Sequence, residues 1–271
     1  MLTWVDGLPA GDVPVTDRGL AYGDGLFETI AVRAGRPRLL ERHLRRLSEG
    51  CTRLGVVCDE ALIESELLAF CSVLGDGVAK LILTRGDGLR GYAPPVSGQA
   101  RRILQGGALP DYPPANAERG VSLYPCRTRL AEQPALAGLK HLNRLEQVLA
   151  RAEWQGAAFA EGLMRDVSGR VIEGVFSNLF MVRCGRLVTA DLSRCGVAGV
   201  MRAEVLVIAQ AVGISVEVRD IPYEELLQAD EVFLCNSLYG VWPVIGLEER
   251  DWPVGPLTRK LQALVRDVLG S

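Results

Sequence analysis

The chain has 271 residues, 48% of them hydrophobic and 23% charged, with a formal net charge of −3. That is material for one large or two modest domains with a substantial core, and the balanced charge without a basic block excludes polyanion binding as the default function. No run approaches the roughly 20 apolar residues that span a bilayer, and Met1–Gly7 carries an early acid and no long apolar core, so neither a membrane span nor a secretory signal is expected.

Residues 1–40 alternate short apolar runs with the turn signals Asp6-Gly7, Asp17-Arg18-Gly19, Gly23-Asp24-Gly25 and Ala34-Gly35-Arg36-Pro37. This predicts strands joined by tight turns, one of them Leu26–Val32. Leu44, Leu47, Cys51 and Leu54 form a helical stripe between Glu41 and Val56, and a second amphipathic helix is expected over Asp59–Leu74 with Asp59 as its cap. Strands at 78–84 and 101–105 flank a Gly/Pro-rich loop that contains Arg90 and Tyr92, the kind of loop that carries function. The proline-rich stretch Leu109–Asn116 reads as a linker, which divides the chain into domains 1–112 and 113–271. A strand at 121–126 follows. Leu142, Leu145, Val148, Leu149 and Ala152 then mark a helix ending near Gln155-Gly156. Strands are expected at 158–164, 171–183, 186–190, 214–218 and 231–235, and helices at 201–212, 222–228 and 257–269. Two α/β or α+β domains with a ligand cleft between them are the expected architecture.

Seven cysteines without a C-x-x-C pair, and only two histidines, His43 and His141, suggest no disulfide frame or zinc site, and are too few for most histidine-based sites. Most of the cysteines are expected as small buried residues in a reducing, cytoplasmic setting. His43 and His141 are expected to pack, cap or bond structurally. Among 30 basic residues only Lys80, Lys140 and Lys260 are lysines. Arginine stays protonated, so amine chemistry falls to these three or the N-terminus. Lys80 lies in a strand-like run and Lys260 on a solvated helix face, whereas Lys140 sits between a turn-prone stretch and a helix. Glu173 interrupts an apolar strand, where an acid is costly without a donor. Gly196 and Gly199 precede a helix, offering backbone N–H groups to an anion. An amine, an acid, Arg46 and an anion cradle form the set that pyridoxal phosphate demands.

Gly23-Asp24-Gly25-Leu26-Phe27-Glu28, His43-x-x-Arg46-Leu47, Lys140, Glu173-x-x-x-Ser177-Asn178-Leu179-Phe180, Gly196-x-x-Gly199-Val200-Met201-Arg202 and Asn236-Ser237…Pro243-Val244 occur in this order. In this the chain resembles the fold-type IV pyridoxal-phosphate enzymes. That family includes branched-chain and D-amino-acid aminotransferases and the 4-amino-4-deoxychorismate lyases, and Lys140–Gln147, Arg90-Gly91-Tyr92 and Leu227–Glu231 look most like the lyases. The resemblance implies a two-domain fold with the site in the cleft, pyridoxal 5'-phosphate as cofactor, 4-amino-4-deoxychorismate as substrate and a homodimer as working form. It implies that Lys140 is the Schiff-base lysine and that Glu173 partners the pyridine nitrogen, with Asn178 among the cofactor-binding residues. Arg46 and the N–H groups of Val200 and Met201 would hold the phosphate, with Ser237 adding a hydroxyl. Met201 departs from the threonine of many aminotransferases and leaves only its backbone N–H. Arg144-Leu145 stands where the aminotransferases have a tyrosine, which argues against ordinary transamination. Glu28, as in the aminotransferases, would sit beside the cofactor at the substrate side. Arg90 and Tyr92 are candidates to grip a substrate carboxylate, the alternative being an ordinary solvated loop.

Overall fold

The computed structural model describes residues 2–88, 90–95 and 98–270; Leu89, in the loop singled out above, lies outside them. The chain divides into two compact units, one of Met1–Pro110 with Leu139–Asn143, the other of Asp111–Gly138 with Arg144–Leu269. No helix of the described residues is long and apolar enough to cross a membrane.

The first unit contains β1 (Leu2–Val5), β2 (Leu8–Pro9), α1 (Arg18–Tyr22), β3 (Gly25–Arg33), β4 (Arg36–Pro37), α2 (Leu40–Leu54), α3 (Glu60–Leu74), β5 (Gly77–Thr84) and β6 (Arg101–Gly107). Its six-stranded sheet runs β2-β1-β6-β5-β3-β4, antiparallel at each pairing. Asp59 accepts the Leu62 N–H at 3.0 Å and caps α3 as expected. On α3, Ile63, Leu67, Phe70 and Cys71 are buried, and the Phe70 ring meets Trp4 edge-on at 5.4 Å. The buried face of α2 is His43, Leu47, Gly50 and Cys51, so a histidine takes the place that the apolar spacing assigned to Leu44. Helix α1 is not visible as a periodic pattern because it is short; Asp17 starts it by accepting the N–H groups of Gly19 and Leu20.

The second unit contains α4 (Pro114–Glu118), β7 (Val121–Leu130), α5 (Leu145–Arg151), β8 (Glu161–Asp166), β9 (Val171–Gly174), β10 (Asn178–Arg183), β11 (Arg186–Ala190), α6 (Val200–Ala211), β12 (Val216–Arg219), α7 (Tyr223–Leu227), β13 (Glu231–Asn236), β14 (Gly240–Leu247), β15 (Arg250–Asp251) and α8 (Pro256–Leu269). The nine-stranded sheet follows β12-β11-β10-β13-β14-β7-β8-β9, with β15 paired to β14 as the ninth strand, and β9 also meets β10. That last pairing sets Asn178 opposite Glu173. Apolar side chains from successive strands, among them Leu123, Leu163, Leu179, Leu234 and Trp242, fill the core.

The single strand expected over 171–183 is broken between Gly174 and Asn178. The cause is Glu161, buried at the start of β8. Its carboxylate accepts the N–H groups of Val175 at 3.0 Å and Phe176 at 3.3 Å and the Ser177 hydroxyl at 2.7 Å, diverting donors that a continuous strand would spend on its ladder. Burial pushes Glu161 up to about 7 against these donors. Two further expectations change. The helix expected from Leu142 starts at Leu145, because His141 bridges Leu26 instead. The proline-rich linker holds α4, with Pro114 in its first turn.

Candidate active site

In the first unit, Lys140 is held through its backbone. Its carbonyl accepts the Phe27 N–H at 2.9 Å, and the Leu142 N–H donates to Gly25 at 3.0 Å, so residues 140–142 lie as a short antiparallel rung along the start of β3. The Lys140 Nζ stands 4.4 Å from the centroid of the Phe27 ring. His141 is part of this rung and not a helix start. Lys80, on β5, approaches the same ring at 5.3 Å, and Lys260 is exposed on α8.

Glu28 follows Phe27 and faces α2, and only 2% of it is exposed. Its Oε1 accepts Arg46 Nε at 2.8 Å and its Oε2 accepts Arg46 Nη2, a two-point ion pair. The same Oε2 lies 2.6 Å from His43 Nδ1. Burial would raise the Glu28 pKa, but Arg46 and His43 reverse this and hold it at about 2. An ionised carboxylate only accepts, so His43 Nδ1 carries the hydrogen and donates. Burial pushes the imidazole below its usual value although Glu28 opposes that, so the ring is neutral near pH 7. Both oxygens of Glu28 are thus directed at α2, and the sequence signal for this was the i, i+3 spacing of His43 and Arg46 on one helix face.

In the second unit, Glu173 on β9 is buried. Its Oε2 accepts the Val197 N–H at 2.9 Å and faces Asn178 Nδ2 at 3.4 Å. Asn178 also donates to the Val197 carbonyl at 2.9 Å. Gly138, two residues before Lys140, joins the same loop: it donates to Gly196 at 2.9 Å and accepts from Ala198 at 3.0 Å. Gly196 has φ +84°, and a Cβ there would stand 2.8 Å from Ile172 and Leu192; at Gly199 it would stand 1.9 Å from Asn178 Oδ1. The glycines are therefore required for close packing. Helix α6 begins at Gly199 with no side-chain cap, so the first turn, with Val200 and Met201, presents backbone N–H groups where an anion is favoured. Ser237 lies in the turn after β13, shaped by Asn236 Oδ1, which accepts the N–H groups of Leu238 at 2.9 Å and Tyr239 at 3.0 Å.

The structure therefore groups Lys140, Glu28 and Arg46 in one unit and Glu173, Asn178, Val200 and Met201 in the other. Arg90 and Tyr92 stand exposed on their loop, Tyr92 by 86%. Arg144 belongs to the second unit as well. It is half-buried and opens α5; burial lowers its pKa while Glu173 and Glu146 oppose the shift, which puts a cation in the electrostatic field of Glu173.

Two outcomes follow from this geometry. Because folded Glu28 stays ionised where the unfolded chain takes up a proton, its stabilisation is complete above about pH 4.5 and is lost as pH falls toward about 2. Glu28→Gln should flatten the loss of stability between pH 6 and 3 by about 2 kcal/mol, read from urea unfolding; an unchanged acid limb would contradict the ion pair. Gly199→Ala should displace Asn178 and lower stability by about 1 kcal/mol or more, read from urea unfolding, and wild-type stability would show that the close approach is not required.

The Amino-transferase class IV family model matches residues 25–247. The aminodeoxychorismate lyase of Vibrio harveyi is 42% identical over 265 residues, covering 96% of this chain and 97% of that protein. The crystal structure of 4-amino-4-deoxychorismate lyase from Pseudomonas aeruginosa superposes with a TM-score of 0.97 at 66% identity, covering 98% of each chain. A T.th. branched-chain amino acid aminotransferase, complexed with N-(5'-phosphopyridoxyl)-L-glutamate, gives a TM-score of 0.86 at 25% identity and covers 99% of this chain and 94% of its own. This chain belongs to the amino-transferase class IV family.

Proposed function

We propose that the protein is a pyridoxal-phosphate-dependent lyase that converts 4-amino-4-deoxychorismate to 4-aminobenzoate and pyruvate. The observation that carries this reading is the 66% identity, over 98% of both chains, to a lyase of that name. The buried acid, the uncapped helix start and the backbone-locked lysine support it.

The residues present fit the cofactor. Lys140 would carry it, Glu173 would face its ring nitrogen, and Asn178 would orient Glu173. The N–H groups of Val200 and Met201, at the start of α6 that has no side-chain cap, would hold its phosphate together with Ser237. Arg46 would add positive charge to the phosphate, with Glu28 fixing its guanidinium. When bound, pyridoxal phosphate supplies an aldehyde for the substrate amine and a ring that accepts electron density.

The chain's own residues then move protons. Lys140, freed as an amine, takes the proton from the amine-bearing ring carbon of the substrate. Glu173 would offer its carboxylate to the ring nitrogen of the bound cofactor. As the enolpyruvyl C–O bond breaks, Lys140 returns a proton to the methylene carbon, giving pyruvate and an aromatic ring. Aromatisation drives the step, so the protein's task is to position groups and exclude water. Arg90 and Tyr92 would hold one of the two substrate carboxylates. On α5, Leu145, Val148 and Leu149 expose an apolar face at helical spacing, which supports a homodimer as the working form.

A second reading, amino-acid transamination, has the class IV aminotransferase relative in its favour. The two separate cleanly. The loaded enzyme should release fluorescent 4-aminobenzoate from aminodeoxychorismate, and an amino acid alone should leave its cofactor spectrum unchanged. Conversion to the pyridoxamine form without lyase turnover would favour the transaminase. Lys140→Arg should abolish turnover, with a loss of at least about 10³-fold, in a protein whose circular dichroism is unchanged; retained turnover would remove Lys140 from the chemistry.

A further inference from the structure

We propose that Arg18 is a positioning residue that fixes the backbone of residues 91–93 and so sets where Arg90 and Tyr92 present themselves to a substrate carboxylate. This rests on the reading of Arg90 and Tyr92 given above, and it lies wholly within the first unit.

Arg18 is buried, with 4% of it exposed. Its guanidinium bonds the backbone of the loop. Nη1 donates to the carbonyls of Gly91 at 3.1 Å and Ala93 at 3.3 Å, and Nη2 donates to that of Tyr92 at 3.0 Å. Nε donates to Asp24 at 2.9 Å. Three consecutive carbonyls directed at one cation curl the backbone around it, which leaves the side chains on the outer side; Tyr92 and Arg90 are both exposed. Tyr22 closes the same knot. Its hydroxyl accepts the Gly91 N–H at 3.1 Å, its ring lies 5.5 Å from Tyr92, and the Arg18 guanidinium sits 4.9 Å from its centroid. Gly88 presses on the Arg18 stem so closely that a Cβ would stand 2.7 Å from Cδ.

The knot is anchored to the body of the unit. Asp24 also accepts Arg85 Nε at 2.7 Å, and the other nitrogens of Arg85 donate to the carbonyls of Leu54 at 2.8 Å and Gly55 at 2.7 Å, at the end of α2. The loop is thereby connected through Arg18, Asp24 and Arg85 to the helix that carries His43 and Arg46. A guanidinium presents a rigid fork that can serve several carbonyls at once, which lysine cannot reproduce. Because the bonds are to backbone, they fix the path of the loop whatever side chains it bears. A cation held in place before binding loses less conformational freedom when a carboxylate arrives, and that advantage appears in substrate affinity.

The test compares Arg18→Gln, Arg18→Lys and Arg90→Ala in the cofactor-loaded protein, with trypsin cleavage after Arg90 as a readout independent of turnover. Arg18→Gln should speed that cleavage by about fivefold or more and raise KM for aminodeoxychorismate by about tenfold, with kcat changed less than about threefold. Arg18→Lys should fall between wild type and Arg18→Gln in both. If Arg18→Gln does not fold, Tyr22→Phe, which removes only the bond to the Gly91 N–H, should shift both readouts in the same direction by about twofold. Unchanged cleavage in Arg18→Gln would overturn the hold on the loop. Faster cleavage with unchanged KM, while Arg90→Ala raises KM, would overturn the positioning role alone. Unchanged KM in Arg90→Ala would instead remove Arg90 from the substrate site, and the positioning role with it.

Discussion

Irregular backbone holds a side chain in place only where its peptide groups find partners, and Lys140 is on such a segment. Its carbonyl is bonded to Phe27 and its neighbour Leu142 to Gly25, so residues 140–142 borrow the rigidity of β3, which is itself paired along its length with β5. On the upstream side, Gly138 is bonded in both directions to the loop of residues 196–198, the loop that also donates to Glu173. A lysine side chain has four rotatable bonds and loses much entropy when ordered. Anchoring its backbone at both ends limits that cost to the side chain.

Three buried glutamates show how environment assigns different work to one residue type. Glu28 faces a guanidinium and an imidazole, and its charge is held on. Glu161 meets neutral donors, and burial carries it up to about 7; its work is to break a strand and shape the turn before Asn178. Glu173 meets a backbone N–H and an amide. For Glu28 and Glu161 burial opposes the charge, and the partner decides how far that opposition prevails. Glu161 and Glu173 are linked through the turn, since Ser177, bonded to Glu161, precedes the Asn178 that stands opposite Glu173.

Much of this was legible in the sequence, for physical reasons that differ by residue. Lys140 stood out because lysine is scarce here, and Glu173 because an acid in an apolar strand needs a partner. The helices α2, α3, α6 and α8 were legible from periodicity and caps. The break between β9 and β10 was not, because its cause is a carboxylate on another strand. Strand β14 was missed because Gly240, Pro243 and Gly246 punctuate its apolar run and local rules take such residues as breakers. Its partners β13 and β7 overrule them. Arg18 was invisible as a site because arginine is abundant in this chain, and nothing local distinguishes an arginine that will be buried under three carbonyls from one in solvent.

We propose that one amine, fixed by its backbone, carries the cofactor. It is tested most directly by loading the protein with pyridoxal phosphate, reducing it with borohydride, and mapping the cofactor's mass onto tryptic peptides. Recovery on the peptide containing Lys140 is the predicted result. Recovery on Lys80, Lys260 or the N-terminus, with Lys140 unmodified, would contradict it.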